Sequence, residues 1–334
     1  MSDQHAPHTH APHTHAPDAP QRQTSHPSHR HGLAFGAGAA VLFGTSYVAT
    51  AFALRSFSPF GVAVWRGLGA TLLMLVLVTL HHGTGLARLR AMSRGDVGRL
   101  LALGMLGGPG LVAGMNLAVA ATGATIASFV AGLYAVLAAV IAPVVLGERL
   151  PRSAAVGFVT ALAGTALLAD LQLGSSAGLG VLAGLGAAVS YAFYLVLSRR
   201  WGTTHRVSGE AVSVAIFALT AIVLLPIDLL VDRRGLAHPG IDPVAVAGLV
   251  WLVVFPSAVA NLMIQASVRR IPARRSSALL LLNPIAATIL SALLLGERLG
   301  PVQAFGAVLV LAGMAISNGL IGVPLSFRAV GARA

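Results

Sequence analysis

The tetrapeptide Gly-Glu-Arg-Leu occurs twice, at Gly147–Leu150 and Gly296–Leu299, 149 positions apart, and each copy closes one strongly apolar segment and precedes another. The same offset relates Gly157 to Gly306, Ala163 to Ala312 and Gly164 to Gly313. This spacing predicts a duplicated unit. Only 10% of the residues are charged, against roughly 25% in a soluble domain, so the unit lacks the polar surface needed to dissolve. Apolar segments of about 20 residues are long enough to cross a bilayer as helices.

Ten such segments are predicted, near 33–53, 59–80, 98–118, 123–145, 153–170, 177–198, 208–230, 243–266, 273–295 and 300–321. Breakers separate them: Ser58-Pro59, Thr122-Gly123, Pro151, Gly174–Ser176, the Asp228–Asp242 stretch, Pro272 and Gly300-Pro301. The arginines test the count, because cytoplasmic loops carry the excess of positive charge. With the N-terminus cytoplasmic, four arginines (Arg55, Arg233, Arg234 and Arg298) fall outside and Arg66 falls within a span, which leaves 17 of the 22 inside. The fold class expected is therefore an all-α integral membrane protein with ten transmembrane helices and both termini cytoplasmic. Five spans separate the two Gly-Glu-Arg-Leu copies, so they lie on opposite faces. The spans form two inverted five-helix repeats, at 32–172 and 173–322, and such halves flank a midplane site.

Residues 1–31 hold eight of the twelve histidines and the repeat Ala-Pro-His-Thr-His, with no apolar periodicity, which predicts a disordered cytoplasmic tail. Residues 323–334 form a short second tail. The first apolar run begins after residue 32 and has the length of a full span, so it is not a secretory signal. The chain has no cysteine, hence no disulfide framework or thiolate chemistry. Its arginines are scattered through short loops instead of sharing one face, which argues against a nucleic-acid partner and for the lipid bilayer.

Specific stretches then identify a family. Phe43-Gly44-Thr45-Ser46-Tyr47-Val48-Ala49, Ser58-Pro59-Phe60 with Trp65-Arg66, Arg269-Arg270-Ile271-Pro272-Ala273, Leu282-Asn283-Pro284 and Leu295-Gly296-Glu297-Arg298-Leu299 resemble the EamA-type family of the drug/metabolite transporter superfamily over roughly residues 33–320. The resemblance implies ten helices from two five-helix units and a role as exporter or permease for amino acids, metabolites or small drugs, in the cell membrane. Two positions depart from the family pattern. Asn283 stands where members often carry an acidic residue before the helix-9 proline, and Ala135 replaces the corresponding proline of helix 4.

Polar side chains in hydrocarbon are costly and face a cavity or another helix. Arg66, the only charge well inside a span, lies roughly 10 Å in from Pro59 at 1.5 Å per residue. It either snorkels to the outer headgroups, or faces a cavity and binds a carboxylate, or pairs with a helix end. Ser46 and Thr50, Ser190 and Tyr194, and Asn261 and Gln265 are i, i+4 pairs on one helix face. With Tyr191, Asn116, Ser128, Tyr134, Ser276 and Asn283 they are the candidate cavity residues, against the plain alternative of interhelical hydrogen bonds. Gly108, Pro109 and Gly110 in the third span and Pro256 in the eighth are candidate hinges. Gly147, Glu148 and Arg149, with Gly296, Glu297 and Arg298, are read as structural, through a local Glu-Arg pair or the start of the next helix.

The function expected is a secondary transporter moving a small metabolite by alternating access. No cofactor is implied, since there is no phosphate-binding Gly-x-x-x-x-Gly-Lys loop. A divalent-metal exporter loaded by the His-rich tail is the alternative, but the spans offer no metal ligands. A membrane-embedded enzyme would need an acid, base or nucleophile in the core, and His81, His82, His205 and His238 all sit in loops or at helix ends. The chain is expected not to be an enzyme. A homodimer is compatible with this reading.

Overall fold

The computed structural model describes residues 27–82, 92–147, 149–169, 176–201, 209–231, 240, 242–271 and 278–321. The stretch 1–26, Glu148, Ser276 and residues 322–334 lie outside the described residues. Twelve α-helices appear among the described residues, and no strand: α1 (Pro27–Ala53), α2 (Pro59–His82), α3 (Arg94–Gly107), α4 (Pro109–Gly132), α5 (Tyr134–Leu146), α6 (Arg152–Leu168), α7 (Ser176–Trp201), α8 (Gly209–Val231), α9 (Pro243–Val254), α10 (Ala260–Val268), α11 (Leu282–Leu294) and α12 (Pro301–Ser317). A π-helical turn, Phe255–Val259, joins α9 to α10. Six helical stretches are long and apolar enough to cross a membrane, including the 53-residue run Arg94–Leu146, and α6, α11 and α12 are shorter apolar helices. Large apolar side chains such as Leu80, Val144 and Leu293 stand fully on the outer surface. This is a multi-pass membrane protein.

Helix α1 begins at Pro27, so residues 27–31, expected in the tail, form its first turn; proline is tolerated there because the first amides have no intrahelical partner. The Ser58 hydroxyl caps α2 by accepting from the Gly61 amide at 2.8 Å, and Asp242 caps α9 by accepting from the Val244 amide at 2.8 Å. Gly147 (φ 72°) ends α5 and Gly296 (φ 69°) follows α11, so both copies of the duplicated tetrapeptide start with a left-handed turn that suits glycine.

The predicted break at Thr122-Gly123 is a single-residue interruption of α4. Gly123 has φ 83° and ψ 170°, and the amides after it are freed from helical pairing. Glu297 answers them. Its carboxylate accepts from the Ala124 amide at 2.8 Å and from the Thr125 amide at 2.9 Å. Glu297 does start a helix, but not the next one: the segment it caps lies 172 positions away in the other half of the chain.

Pairing between the halves follows the 149-residue offset. Helix α2 packs on α8 and α6 packs on α12, each helix on its own sequence equivalent. Helix α1 packs on α9, α10 and α11, while α7, its equivalent, packs on α4 and α5. The α6–α12 crossing is close because glycines meet there. A Cβ at Gly164 would sit 2.6 Å from the Gly306 carbonyl oxygen, and one at Gly157 would sit 2.5 Å from that of Gly313. Lipid tails are as apolar as leucine, so dispersion between such close backbones, not exclusion from water, holds helices together in a bilayer.

Gly164→Ala gains about 1 kcal/mol of helix propensity but forces the α6–α12 backbones apart at about 1–3 kcal/mol, so it lowers unfolding stability in mixed micelles. Gly186→Ala, with open space around its Cβ, leaves stability equal or higher. Glu297→Gln removes one of the two carboxylate acceptors and costs about 1–3 kcal/mol, read in the same assay.

Candidate functional site

A helix that breaks in hydrocarbon must satisfy the backbone groups it frees, and three breaks meet in the middle of this molecule. Pro256 has no amide to give, and the π turn leaves the Leu252 carbonyl without its i+4 partner. The Ser257 hydroxyl donates to that carbonyl at 2.7 Å. Its remaining lone pairs accept from Arg66 Nε at 2.9 Å. The Asn261 side-chain amide donates to the Ser257 carbonyl at 2.7 Å. The break in α9–α10 thus fixes the guanidinium of α2. A second break, at Gly108 (φ −100°, ψ −103°), separates α3 from α4. The third recurs in both halves: a turn at Leu133 (φ −57°, ψ −17°) between α4 and α5, and a turn at Leu280–Leu281 before α11.

Between these breaks lies a cavity of about 120 Å³. Helix α1 supplies Phe43, Ser46 and Tyr47, α2 supplies Arg66, and α4 supplies Leu111, Val112, Met115 and Ala131. Tyr134 of α5, Tyr191 and Tyr194 of α7, Ser213, Ile216 and Phe217 of α8, then Pro256, Asn261, Leu280 and Asn283 complete the wall, with Gly107 at the end of α3. Four lining pairs are 149 residues apart: Gly107 and Pro256, Val112 and Asn261, Ala131 and Leu280, Tyr134 and Asn283. Both halves build the cavity from equivalent places.

One wall is aromatic. Tyr134 meets Tyr191 edge to face, with centroids 4.9 Å apart, and Tyr191 stacks on Tyr194 at 5.0 Å. The charged element is Arg66, 9% exposed, and it makes no ion pair with an acidic group among the described residues. Asn283 contacts the Tyr47 hydroxyl, while its own Oδ1 is buried with no partner.

Of the expected cavity residues, Ser46, Arg66, Tyr134, Tyr191, Tyr194, Asn261 and Asn283 come together here. Thr50, Asn116, Ser128, Ser190 and Gln265 do not line the cavity. Each i, i+4 pair is split, with one member on the cavity wall and the other a turn away from it. Ser190 donates to the Leu106 carbonyl at 2.9 Å and Asn116 to the Pro59 carbonyl at 2.8 Å, as interhelical ties. Ser128 donates to its own helix at Thr125, and Thr50 Oγ1 is buried without a partner. Among the hinge candidates, Gly108 marks the α3–α4 break, with Pro109 and Gly110 opening α4, and Pro256 sits in the π turn. Arg149 and Arg298 are exposed.

Sequence reasoning passed over Ser257, Tyr47, Ser213 and Asp228. Tyr47 sat inside a quoted motif without a role. Ser257 was signalled by the neighbouring proline, since a hydroxyl after a helix break is a ready cap for freed carbonyls. Asp228 opens the breaker stretch that runs to Asp242, yet it is 0% exposed and accepts a hydrogen bond from the Ser58 hydroxyl.

Among the described residues no three His, Cys, Asp or Glu side chains gather as they would around a metal ion. Residues 30–169 and 178–319 each match the EamA-like transporter family. The chain is 24% identical over 299 residues to the uncharacterized transporter YyaM of Bacillus subtilis (strain 168), covering 86% of this chain and 93% of that one. It is 28% identical over 205 residues to the uncharacterized transporter YwfM of the same organism, covering 60% of this chain and 66% of that one. A crystal structure 22% identical covers 86% of this chain and 96% of its own at a TM-score of 0.60, a likeness of fold. The chain belongs to the EamA-like transporter family, within the drug/metabolite transporter superfamily, and is a multi-pass membrane transporter.

Proposed function

We propose that the protein is a secondary transporter of ten spans in two inverted five-helix repeats, which carries a small metabolite with an anionic group across the cell membrane by alternating access. The observation that carries this reading is the placement of Arg66. A cation at the centre of a bilayer costs about 2.5–3.5 kcal/mol even on the mildest scale, and this one faces the cavity without an acidic partner among the described residues. A carboxylate on the substrate supplies the missing charge through a bidentate contact. Amino acids and related carboxylates fit that chemistry, with the tyrosine wall taking the apolar part.

The two family matches support the duplication, and the symmetric helix pairing with four equivalent lining pairs supports a site at the interface of the repeats. The arginine distribution supports a topology with both termini, and the Trp201 end of α7, in the cytoplasm and Glu297 outside. At the Glu297 end, polar contacts cross between the halves: Glu297 with Ala124 and Thr125, Ser58 with Asp228, the Asp242 amide donating to Ser56 Oγ at 2.9 Å, and Arg55 with Asp242 at 3.7 Å. Below them, Val48, Met115, Val119, Ala127 and Ala287 form an apolar plug. The lining residues Ser213, Tyr194, Asn261 and Leu280 belong to the other half of the thickness. This conformation is closed outside and faces the cytoplasm. Metal export is not favoured, because no cluster of metal ligands gathers among the described residues.

The test is flux in proteoliposomes offered a pool of labelled amino acids and related metabolites. Native protein moves a subset of carboxylate-bearing compounds. Arg66→Ala lowers that flux at least about tenfold, the effect of losing one charge-assisted contact of roughly 1.5–3 kcal/mol, Arg66→Lys retains part of it, and Asn283→Ala lowers it by a smaller factor. Unaltered flux in Arg66→Ala contradicts the reading.

A further inference from the structure

The cavity leaves one buried ionisable group unused. Asp228 lies eleven residues past Phe217 on α8, about 16 Å towards the Glu297 end at 1.5 Å per residue, and is 0% exposed. Its Oδ1 accepts from the Ser58 hydroxyl, which also caps α2 by accepting from the Gly61 amide. Its Oδ2 is buried and has no hydrogen-bond partner. On the same turn, Asn116 donates to the Pro59 carbonyl, and its Oδ1 is a second buried acceptor without a donor. Two acceptors short of donors are both anchored to Ser58-Pro59, and Oδ2 can take a proton without breaking a hydrogen bond already made.

Other charges at this end are already engaged: Glu297 accepts from the Ala124 and Thr125 amides, and Arg55 pairs with Asp242 at 3.7 Å. Helices α2, α3 and α4 pack against α8. Arg66 is the nearest charge on α2, eight residues or about 12 Å along the helix from Ser58, with its Nε committed to Ser257. Arg94, Asp96 and Arg99 stand at the start of α3, at the opposite end of the molecule, as does Glu210 at the start of α8. Helix α4 carries no ionisable side chain. Arg233 and Arg234 lie outside the described residues.

We propose that Asp228 is a proton-binding site that fastens or releases the closed outer end of the transporter. In the carboxylate form, the Ser58–Asp228 bond is charge-assisted and its negative charge faces the positive N-terminal end of α2. A proton from the outer aqueous phase adds to Oδ2 and gives a neutral carboxylic acid, while Ser58 keeps its own proton. The tie between the halves then falls to the strength of a neutral hydrogen bond and the dipole interaction is lost. Acid outside therefore favours opening, and by reciprocity the outward-open form binds the proton more tightly. This rests on the reading of the Glu297 end as the closed outer mouth.

The chain lacks cysteine, so single thiols report access. Met115→Cys, on the cavity wall below the closed end, is treated at neutral pH with a membrane-impermeant maleimide from each face. Ser213→Cys, on α8 towards the other mouth, reports independently whether the cavity opens to the cytoplasm. Adding Asp228→Asn, a neutral isostere, accelerates Met115→Cys modification from the outer face about tenfold, the ratio corresponding to one lost charge-assisted contact. Ser58→Ala, which leaves the carboxylate in place, changes it in the same direction. Infrared difference spectra on acidification show a protonated-carboxyl band in the native protein that Asp228→Asn lacks. Modification rates unchanged by both substitutions, or an infrared band unchanged by Asp228→Asn, overturn the proposal. Acceleration confined to the opposite face supports the proton site and reverses the orientation, while Ser213→Cys unreactive from the cytoplasm contradicts the inward-facing reading alone.

Discussion

In hydrocarbon every backbone amide and carbonyl needs a partner within the protein, and this chain interrupts its helices at Gly108, Gly123, Leu133, Phe255–Val259 and Leu280–Leu281. Much of what distinguishes the molecule answers those interruptions. Glu297 takes the amides after Gly123, and in doing so ties the second half to the first. Ser257 takes the carbonyl freed by the π turn, and in doing so orients Arg66. The breaks cost intrahelical hydrogen bonds, and the side chains that make them good also tie the halves together and hold Arg66 at the cavity wall.

The symmetry is close but incomplete, and the departures are chemical. Tyr134 and Asn283 occupy equivalent places on the cavity wall, one aromatic and one an amide, and Val112 faces Asn261 in the same way. The position equivalent to Arg66 is Ala215. One half therefore brings the charge while the other brings hydrogen-bonding groups and the serine that holds the charge in place. Tyr191 and Tyr194 add a stacked surface that the first half lacks at Leu42 and Thr45. A duplicated scaffold gives two equivalent halves, and divergence at the wall gives a cavity with a charged side and an aromatic side.

Local patterns reached the scaffold well. Helix limits at Pro59, Pro301 and the two left-handed glycines follow from chemistry confined to a few residues, and the glycines paired by the 149-residue offset lie in the α6–α12 contact. What depends on distant partners was not legible. Glu297 meets amides 172 and 173 positions away, and Ser58 meets Asp228 across 170. The turn at Leu133 follows Gly132 with no proline beside it, and Ala135 stands where Pro284 stands in the other half. Thr50, Ser190 and Gln265 share a helix face with cavity residues, yet the cavity is about a turn deep on those helices, so face alone could not place them.

The central claim is that two copies of one unit lie inverted in the membrane, and the exposed arginines of the duplicated tetrapeptide test it most directly. Arg149→Cys and Arg298→Cys, each the single thiol in an otherwise cysteine-free chain, would be treated with an impermeant maleimide in intact and permeabilised cells. The inverted arrangement predicts that Arg298→Cys reacts in intact cells and that Arg149→Cys reacts only after permeabilisation. Reaction of both from the same face would contradict it.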